Sequence, residues 1–471
     1  MKQTKIVATL GPASSSYVTL CEMVQAGMNV ARINLSHGVW AEHKEKIDKI
    51  KKIRKDMNTS VGIMIDTRGP ELRIGNFVDG KAQLVEGQYF SLVTDNILGD
   101  HTRATINHPN SISLLNVGDK VLACNALITF EVTEILPNGV KMKVINGGEI
   151  SNHKSLSFPG KIFNFSYLND EDKADIVNAI KEGVEYIACS FVNSAKDIEM
   201  VRKFIKDNGG DIKIISKIES SLGISNIDEI IEASDGIMVA RGDLGVELPF
   251  QSIPHLQKMI IHKCINANKI VITATEMLES MINSPRPTRA ETSDVANAVF
   301  DGSSAVMLSG ESAMGKFPVE AIKVMAKICE ETEKYVDYKL LFEEEEQTDQ
   351  TLSNIISRTV AKLAFKIKEL KAVAVYTQSG HTAMMISKHF PSCPIVALTP
   401  DKNTYYNLSS VWGVYPVLVK DIKTADKLIV EIDDIVQAKK YAKKGEMVLI
   451  GTGTRKPTST DIIKIHIVGQ K

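Results

Sequence analysis

The chain has 471 residues and a formal net charge of −1, from 56 Lys and Arg against 57 Asp and Glu. That balance lacks the basic excess of bulk nucleic-acid binders, and no apolar run reaches transmembrane length, so neither nucleic acid nor membrane is expected as a partner. The six cysteines stand singly and form no CxxC pair, which points to neither a zinc site nor a disulfide framework. The length exceeds one ordinary core, so two or three domains are expected. Met1 to Val7 enters a strand-like run without a signal-peptide pattern, and a cytoplasmic location fits.

Taken in order, short apolar runs at 5–9, 29–33, 61–65, 186–190, 212–216, 236–239, 270–273 and 305–308 read as strands. Amphipathic stretches of helical length lie between most of them, as at 194–206, 226–232 and 254–267. Eight such units predict a (β/α)8 barrel; a doubly wound open sheet is the alternative, disfavoured because no GxGxxG follows the first strand. From about Pro70 to Phe165 the pattern breaks into alternating segments at 89–94, 127–136 and 140–145, with turn signals at Asp79-Gly80, Pro137-Asn138-Gly139 and Asn146-Gly147-Gly148. We read this as an inserted β-barrel lid domain in a loop on the catalytic face. After the acidic run Glu343 to Glu346, helix and strand patterns resume at 352–366, 372–376, 395–398, 417–419 and 447–450, predicting a small α/β domain. The expected domains are therefore a discontinuous barrel (1–69 and 166–340), an inserted lid (70–165) and a C-terminal α/β domain (341–471).

The ends of these strands carry the chemistry. Ile214-Ile215-Ser216-Lys217-Ile218-Glu219 closes an apolar run with a lysine and a carboxylate two residues apart, hence on one face of a strand. Burying that pair is costly unless it binds something or forms a structural salt bridge, which is the plainer reading. Other strand ends add Arg32, Asn34, Ser36 and His37; Asp66, Thr67, Glu71 and Arg73; Arg241, Gly242 and Asp243; Thr275 and Glu276; and Ser309 and Glu311. Glu219 and Asp243 offer only oxygen ligands, which suits Mg2+ or Mn2+ rather than zinc. Arg32, Arg73 and Lys217 can neutralise the oxygens of a phosphoryl group in transfer. Asn34, Ser36, Asp66 and Thr67 form a hard-oxygen cluster suited to a monovalent cation.

Segments 32–38, 66–73, 216–219, 240–245, 274–278, 285–294 and 307–311 together resemble the pyruvate kinase family, and the likeness spans the whole chain. The runs Asp235-Gly-Ile-Met-Val-Ala-Arg-Gly-Asp-Leu-Gly245 and Pro285-Arg-Pro-Thr-Arg-Ala-Glu291 carry it most specifically. The resemblance implies transfer of a phosphoryl group from phosphoenolpyruvate to ADP, giving pyruvate and ATP. It implies that Arg32 binds the phosphoryl group and that Lys217 stabilises the transition state and the enolate. Gly242, Asp243 and Thr275 would contact the substrate, Glu219 and Asp243 would hold Mg2+, and Asn34, Ser36, Asp66 and Thr67 would hold K+. His37, Arg73 and Lys154, with Asn34, match nucleotide-side positions. Glu71 stands where K+-dependent members resemble this chain and K+-independent ones have Lys, so a K+ requirement is expected. The resemblance also implies a homotetramer, in which Arg286 and Arg289 are either plain surface charges or, through their Pro-rich loop, part of a subunit contact.

In the C-terminal domain, Thr377, Ser379, Gly380, His381 and Thr382 resemble a loop that takes a phosphate of an allosteric effector; the alternative is an ordinary strand-to-helix turn. Arg455, in a run that departs from the family's Gly-rich form, would add charge to that pocket. Two further departures are Ser220-Ser221-Leu222, where the family has Asn and an acidic residue, and Phe163-Asn164-Phe165, where the return hinge usually carries Leu-Pro. No appended phosphohistidine-type domain is expected. Two rival functions are a Mg2+-dependent C–C lyase of the same barrel group, which does not need the inserted domain, and a catalytically silent metabolite sensor, which has no reason to keep the charged cluster.

Overall fold

Eight segments of the chain close into one parallel barrel, and the alternation of their side chains decides what reaches its mouth. The computed structural model describes residues 1–161, 166–344, 351–422, 424–452 and 462–470. The barrel strands are β1 (Lys5–Thr9), β2 (Val30–Asn34), β3 (Gly62–Asp66), β4 (Tyr186–Cys189), β5 (Lys213–Ile218), β6 (Gly236–Ala240), β7 (Ile270–Ala274) and β8 (Ala305–Leu308). They pair in sequence order around a closed ring, β8 returning to β1. Each strand is buried on both faces, as a parallel sheet wrapped by helices requires. The (β/α)8 expectation holds, and only strand ends move. β5 runs on to Ile218 where the sequence pattern stops at Ser216, so Lys217 lies on the strand itself.

Parity then sorts the side chains. Val7, Val30, Met64, Tyr186, Ala188, Ile215, Met238, Ile272 and Met307 fill the barrel interior, while Ile6, Ile33, Ile65, Ile214 and Val239 pack outward against helices. Residues two further along the inward face emerge at the C-terminal rim: Thr9, Arg32, Asp66, Ser190 and Lys217.

The inserted segment folds on its own core, which includes Leu72, Phe90, Phe130, Val132, Met142 and Leu156. Its seven-stranded sheet is built around the antiparallel hairpin Ile128–Leu136 and Gly139–Asn146. The C-terminal sheet has β9 (Leu370–Tyr376), β10 (Ile395–Thr399), β11 (Val414–Leu418), β12 (Met447–Thr452) and β13 (Ile462–Ile467) in the order β11-β10-β9-β12-β13, with β13 antiparallel at the edge. Its apolar face is continuous with the barrel interior, and at that junction Ser410 donates to the Tyr186 hydroxyl at 2.9 Å and Lys5 to the Val414 carbonyl at 2.7 Å.

The chain enters the inserted segment through a clamped turn. Asp172 accepts the backbone N–H groups of Arg68 and Gly69, each at 3.1 Å. Gly69 has φ +69°, and a Cβ there would lie 2.8 Å from the Ser190 carbonyl oxygen, so only glycine fits. Phe163, Asn164 and Phe165 lie outside the described residues.

Candidate active site

At the rim, four charges from three strand ends form one connected chain. Arg32 donates from Nε to Asp66 Oδ2 at 2.7 Å, and from Nη1 to Thr9 Oγ1 at 2.8 Å. Lys217 Nζ donates to Asp66 Oδ1 at 3.1 Å and to Ser190 Oγ at 2.8 Å, and lies 2.9 Å from Glu219 Oε1. Glu219 Oε2 accepts the Phe191 N–H at 2.6 Å. All four charged residues are buried.

Burial alone would discharge these groups, and their neighbours decide which stay ionised. Burial pushes Asp66 up, but Arg32 and Lys217 outweigh it and hold the carboxyl below its ordinary range. Burial pulls Lys217 down, yet Asp66 and Glu219 outweigh it and hold its ammonium well above the usual lysine range. Glu219 goes the other way: burial, with the Asp243 carboxylate adding to it against Lys217, raises it to about 7. Lys217 is therefore a fixed cation, and Glu219 is a carboxylate that gains from a second positive charge.

Asp243 supplies the complement. Helix α1 (Arg241–Glu247) starts directly after β6 and carries Gly242 and Asp243 in its first turn. Gly242 N–H donates to Thr275 Oγ1 at 2.8 Å, tying β6 to β7. Thr275 and Glu276 have φ of +69° and +55°, a strained backbone for a β-branched residue. Arg241 holds it in place, donating to the Thr275 carbonyl at 2.7 Å while pairing with Asp294 at 2.7 Å. Among the described residues no group of three or more His, Cys, Asp or Glu forms a metal cage. The two carboxylates Glu219 and Asp243 fit Mg2+, which keeps water and substrate oxygens in its other positions.

Not every expected residue joins this cluster. Asn34 Oδ1 accepts the Ser36 N–H at 3.0 Å, and Thr67 Oγ1 accepts the Ser190 N–H at 3.2 Å, so of the hard-oxygen set Asp66 sits in the ion chain and Thr67 adjoins it through Ser190. Both oxygens of Asp66 already serve Lys217 and Arg32. His37 and Lys154 are exposed. Arg73 pairs with Glu71 at 2.5 Å, and burial raises the Glu71 carboxyl in spite of it. Glu311 accepts the N–H groups of Leu278 and Ser309 at 3.0 and 2.7 Å, a fully buried brace for the rim. In the C-terminal domain Gly380 N–H donates to Thr377 Oγ1 at 3.0 Å, Ser379 and His381 are exposed, and Thr382 is half-buried. Arg455 lies outside the described residues.

Sequence reasoning missed Thr9 and Ser190, the hydroxyls that hold Arg32 and Lys217. Both stand at the ends of expected strands, one and four, whose polar ends were not included in the set. Between the rim and the inserted domain lies a cavity of about 580 Å³, lined by Glu71, Leu156 and Ser157 on one side and by Glu219, Asp243 and Glu247 on the other.

The chain matches known proteins along its whole length. Residues 1–322 match the family model described as pyruvate kinase, barrel domain, and residues 354–466 that of the pyruvate kinase alpha/beta domain. The chain is 42% identical over 475 residues to the pyruvate kinase of Sporosarcina psychrophila, covering 100% of this chain and 81% of the relative. It is 40% identical over 474 residues to that of Clostridium acetobutylicum, covering 99% and 100%. A crystal structure of a pyruvate kinase from Cryptosporidium parvum superposes with a TM-score of 0.94 at 35% identity, covering 99% of this chain and 96% of that one.

Proposed function

Because the chain belongs to the pyruvate kinase family, it is a phosphotransferase acting between phosphoenolpyruvate and ADP, and we propose that the linked charges of Arg32, Asp66, Lys217 and Glu219, with Asp243, are its machinery. The observation that carries this assignment is the unbroken chain of contacts from Arg32 through Asp66 and Lys217 to Glu219.

In this reading the Arg32 guanidinium binds the phosphoryl group, already aimed by Asp66 and Thr9. The Lys217 ammonium, kept charged by its two carboxylate neighbours, neutralises the phosphoryl oxygens in transit and then the enolate left behind. The Thr275 hydroxyl and the backbone of Gly242 and Asp243 contact the substrate, and the strained turn at Thr275 fixes where that hydroxyl points. Glu219 and Asp243 would hold Mg2+ (or Mn2+), which when bound supplies positive charge to the substrate's carboxylate and enol oxygens. Tautomerisation of the released enol drives the reaction toward ATP.

We assign K+ to the Asn34, Ser36, Asp66 and Thr67 oxygens, and the nucleotide to Asn34, His37, Arg73 and Lys154. Closure of the inserted domain then covers the phosphates and excludes water. A phosphorylated effector at Thr377, Ser379, Gly380, His381, Thr382 and Arg455, a homotetramer and a cytoplasmic location complete the reading. No helix in the described residues is long and apolar enough to cross a membrane. The test is ATP formation from phosphoenolpyruvate and ADP, followed by phosphorus NMR in wild type and Arg32→Met. Undiminished turnover in the variant would remove the assignment of Arg32.

A further inference from the structure

Glu247, the last residue of α1, spans two parts of the molecule with one carboxylate. Its Oε1 accepts the hydroxyl of Ser157, in the inserted domain, at 3.1 Å. Its Oε2 accepts the backbone N–H and the hydroxyl of Ser221, at 3.0 and 3.3 Å. Ser221 is two residues beyond Glu219 and opens the short helix that follows β5. Asp243 lies one helical turn before Glu247, on the same short helix. The Glu247–Ser221 bonds therefore tie the loop carrying one carboxylate of the pair to the helix carrying the other. The Glu247–Ser157 bond ties both to the wall of the cavity that the inserted domain closes.

The local sequence builds this joint. Ser220 caps the short helix Ser221–Ser225 by accepting the Gly223 N–H at 2.9 Å, which leaves Ser221 N–H in the first turn free to donate elsewhere. Ser220 thus supplies the cap, and Ser221 gives Glu247 both a backbone and a side-chain donor.

We propose that Glu247 is a positioning residue that latches the inserted domain over the site and fixes the spacing of Glu219 and Asp243. This rests on the kinase reading above. A loosened latch admits water in place of ADP. The bond from phosphorus to the enol oxygen then breaks, one from phosphorus to water oxygen forms, water gives up a proton, and the enol carbon takes one. Phosphoenolpyruvate becomes pyruvate and inorganic phosphate without ATP.

The test uses the full chain with Mg2+ and K+. It measures phosphate release from phosphoenolpyruvate without ADP, pyruvate formation with ADP, the half-saturating Mg2+ concentration and the melting midpoint. Ser157→Ala is expected to raise the ratio of hydrolysis to transfer about tenfold, the size of one charge-assisted hydrogen bond, with the Mg2+ midpoint unchanged. Glu247→Ala is expected to raise both about tenfold. Glu247→Gln, whose carbonyl can face Ser221 and whose amide can face the Ser157 hydroxyl, is expected to restore both to within about threefold. If Glu247→Ala does not fold, Ser157→Ala carries the test alone. An active wild type with an unshifted ratio in Ser157→Ala overturns the latch and leaves the kinase reading standing. A wild type that makes no pyruvate from phosphoenolpyruvate and ADP overturns both.

Discussion

Lys217 and Asp66 meet 3.1 Å apart across the barrel mouth, the first from β5 and the second ending β3. A pair this deeply buried is weak as a source of stability, because the cost of removing both charges from water offsets their attraction. What the contact does provide is a lysine that keeps its proton. With Glu219 on its other side, Lys217 serves as a fixed positive charge and does not act as a base.

The strained turn at Thr275 has a specific dependence. Its φ of +69° persists because Arg241 grips the Thr275 carbonyl while Asp294 grips Arg241. Arg241→Lys keeps the charge but loses the fork. It is expected to raise KM for phosphoenolpyruvate about tenfold and to lower stability by about 1 kcal/mol, from the half-buried carbonyl left without its donor. Steady-state kinetics and thermal melts on the same preparation check it; unchanged KM would show that the turn holds itself.

A monovalent cation is expected to be required. Little or no turnover should occur in Na+-only or cation-free buffer, with recovery in K+ or NH4+. Glu71 is half-buried beside the rim, and its burial already raises its carboxyl. Glu71→Lys would place an ammonium there and is expected to raise cation-free activity about tenfold or more by Coulomb attraction for the phosphoryl oxygens. It also breaks the pair with Arg73, so KM for ADP should rise. Full activity of the wild type without K+ would refute the requirement.

The clamp at the entry to the inserted domain carries a pH signature. Burial raises the Asp172 carboxyl from 3.8 to about 6 against the backbone N–H groups of Arg68 and Gly69 that it accepts. The folded chain therefore binds that proton more tightly than the unfolded one, and this group's contribution to stability falls as pH rises from about 4 to 6, then levels. The span corresponds to about 3 kcal/mol at most. Melting midpoints of the wild type minus those of Asp172→Asn should decline across that window. A flat difference would mean that Asp172 is charged throughout.

Much of this was legible in the sequence because strand periodicity does two things at once. Alternation in runs such as Val30-Ala31-Arg32-Ile33-Asn34 marks the strand and also says which residues share the inward face. Arg32, Asp66, Lys217 and Glu219 could thus be placed at one rim before any coordinates. Thr9 and Ser190 escaped because a small hydroxyl at a strand end costs little to bury and so leaves no anomaly to notice. Glu247 escaped for another reason: its partners Ser157 and Ser221 lie 90 and 26 residues away, and no local pattern reports such a pairing. The edge strand β13 was also missed, since Ile462–Ile467 alternates only weakly with exposed Lys464 and Ile465.

On the proposed reading the Lys217 ammonium, set between Asp66 and Glu219, carries the charge of phosphoryl transfer. The most direct test is coupled pyruvate formation from phosphoenolpyruvate, ADP, Mg2+ and K+ by wild type and Lys217→Met, with folding of both checked by circular dichroism. The wild type is expected to give K+-dependent pyruvate and ATP in equal amounts. For the variant, kcat is expected to fall by about a thousandfold or more, with KM for phosphoenolpyruvate changed only a few-fold. A folded variant that keeps kcat within about tenfold of wild type would remove the assigned role of Lys217.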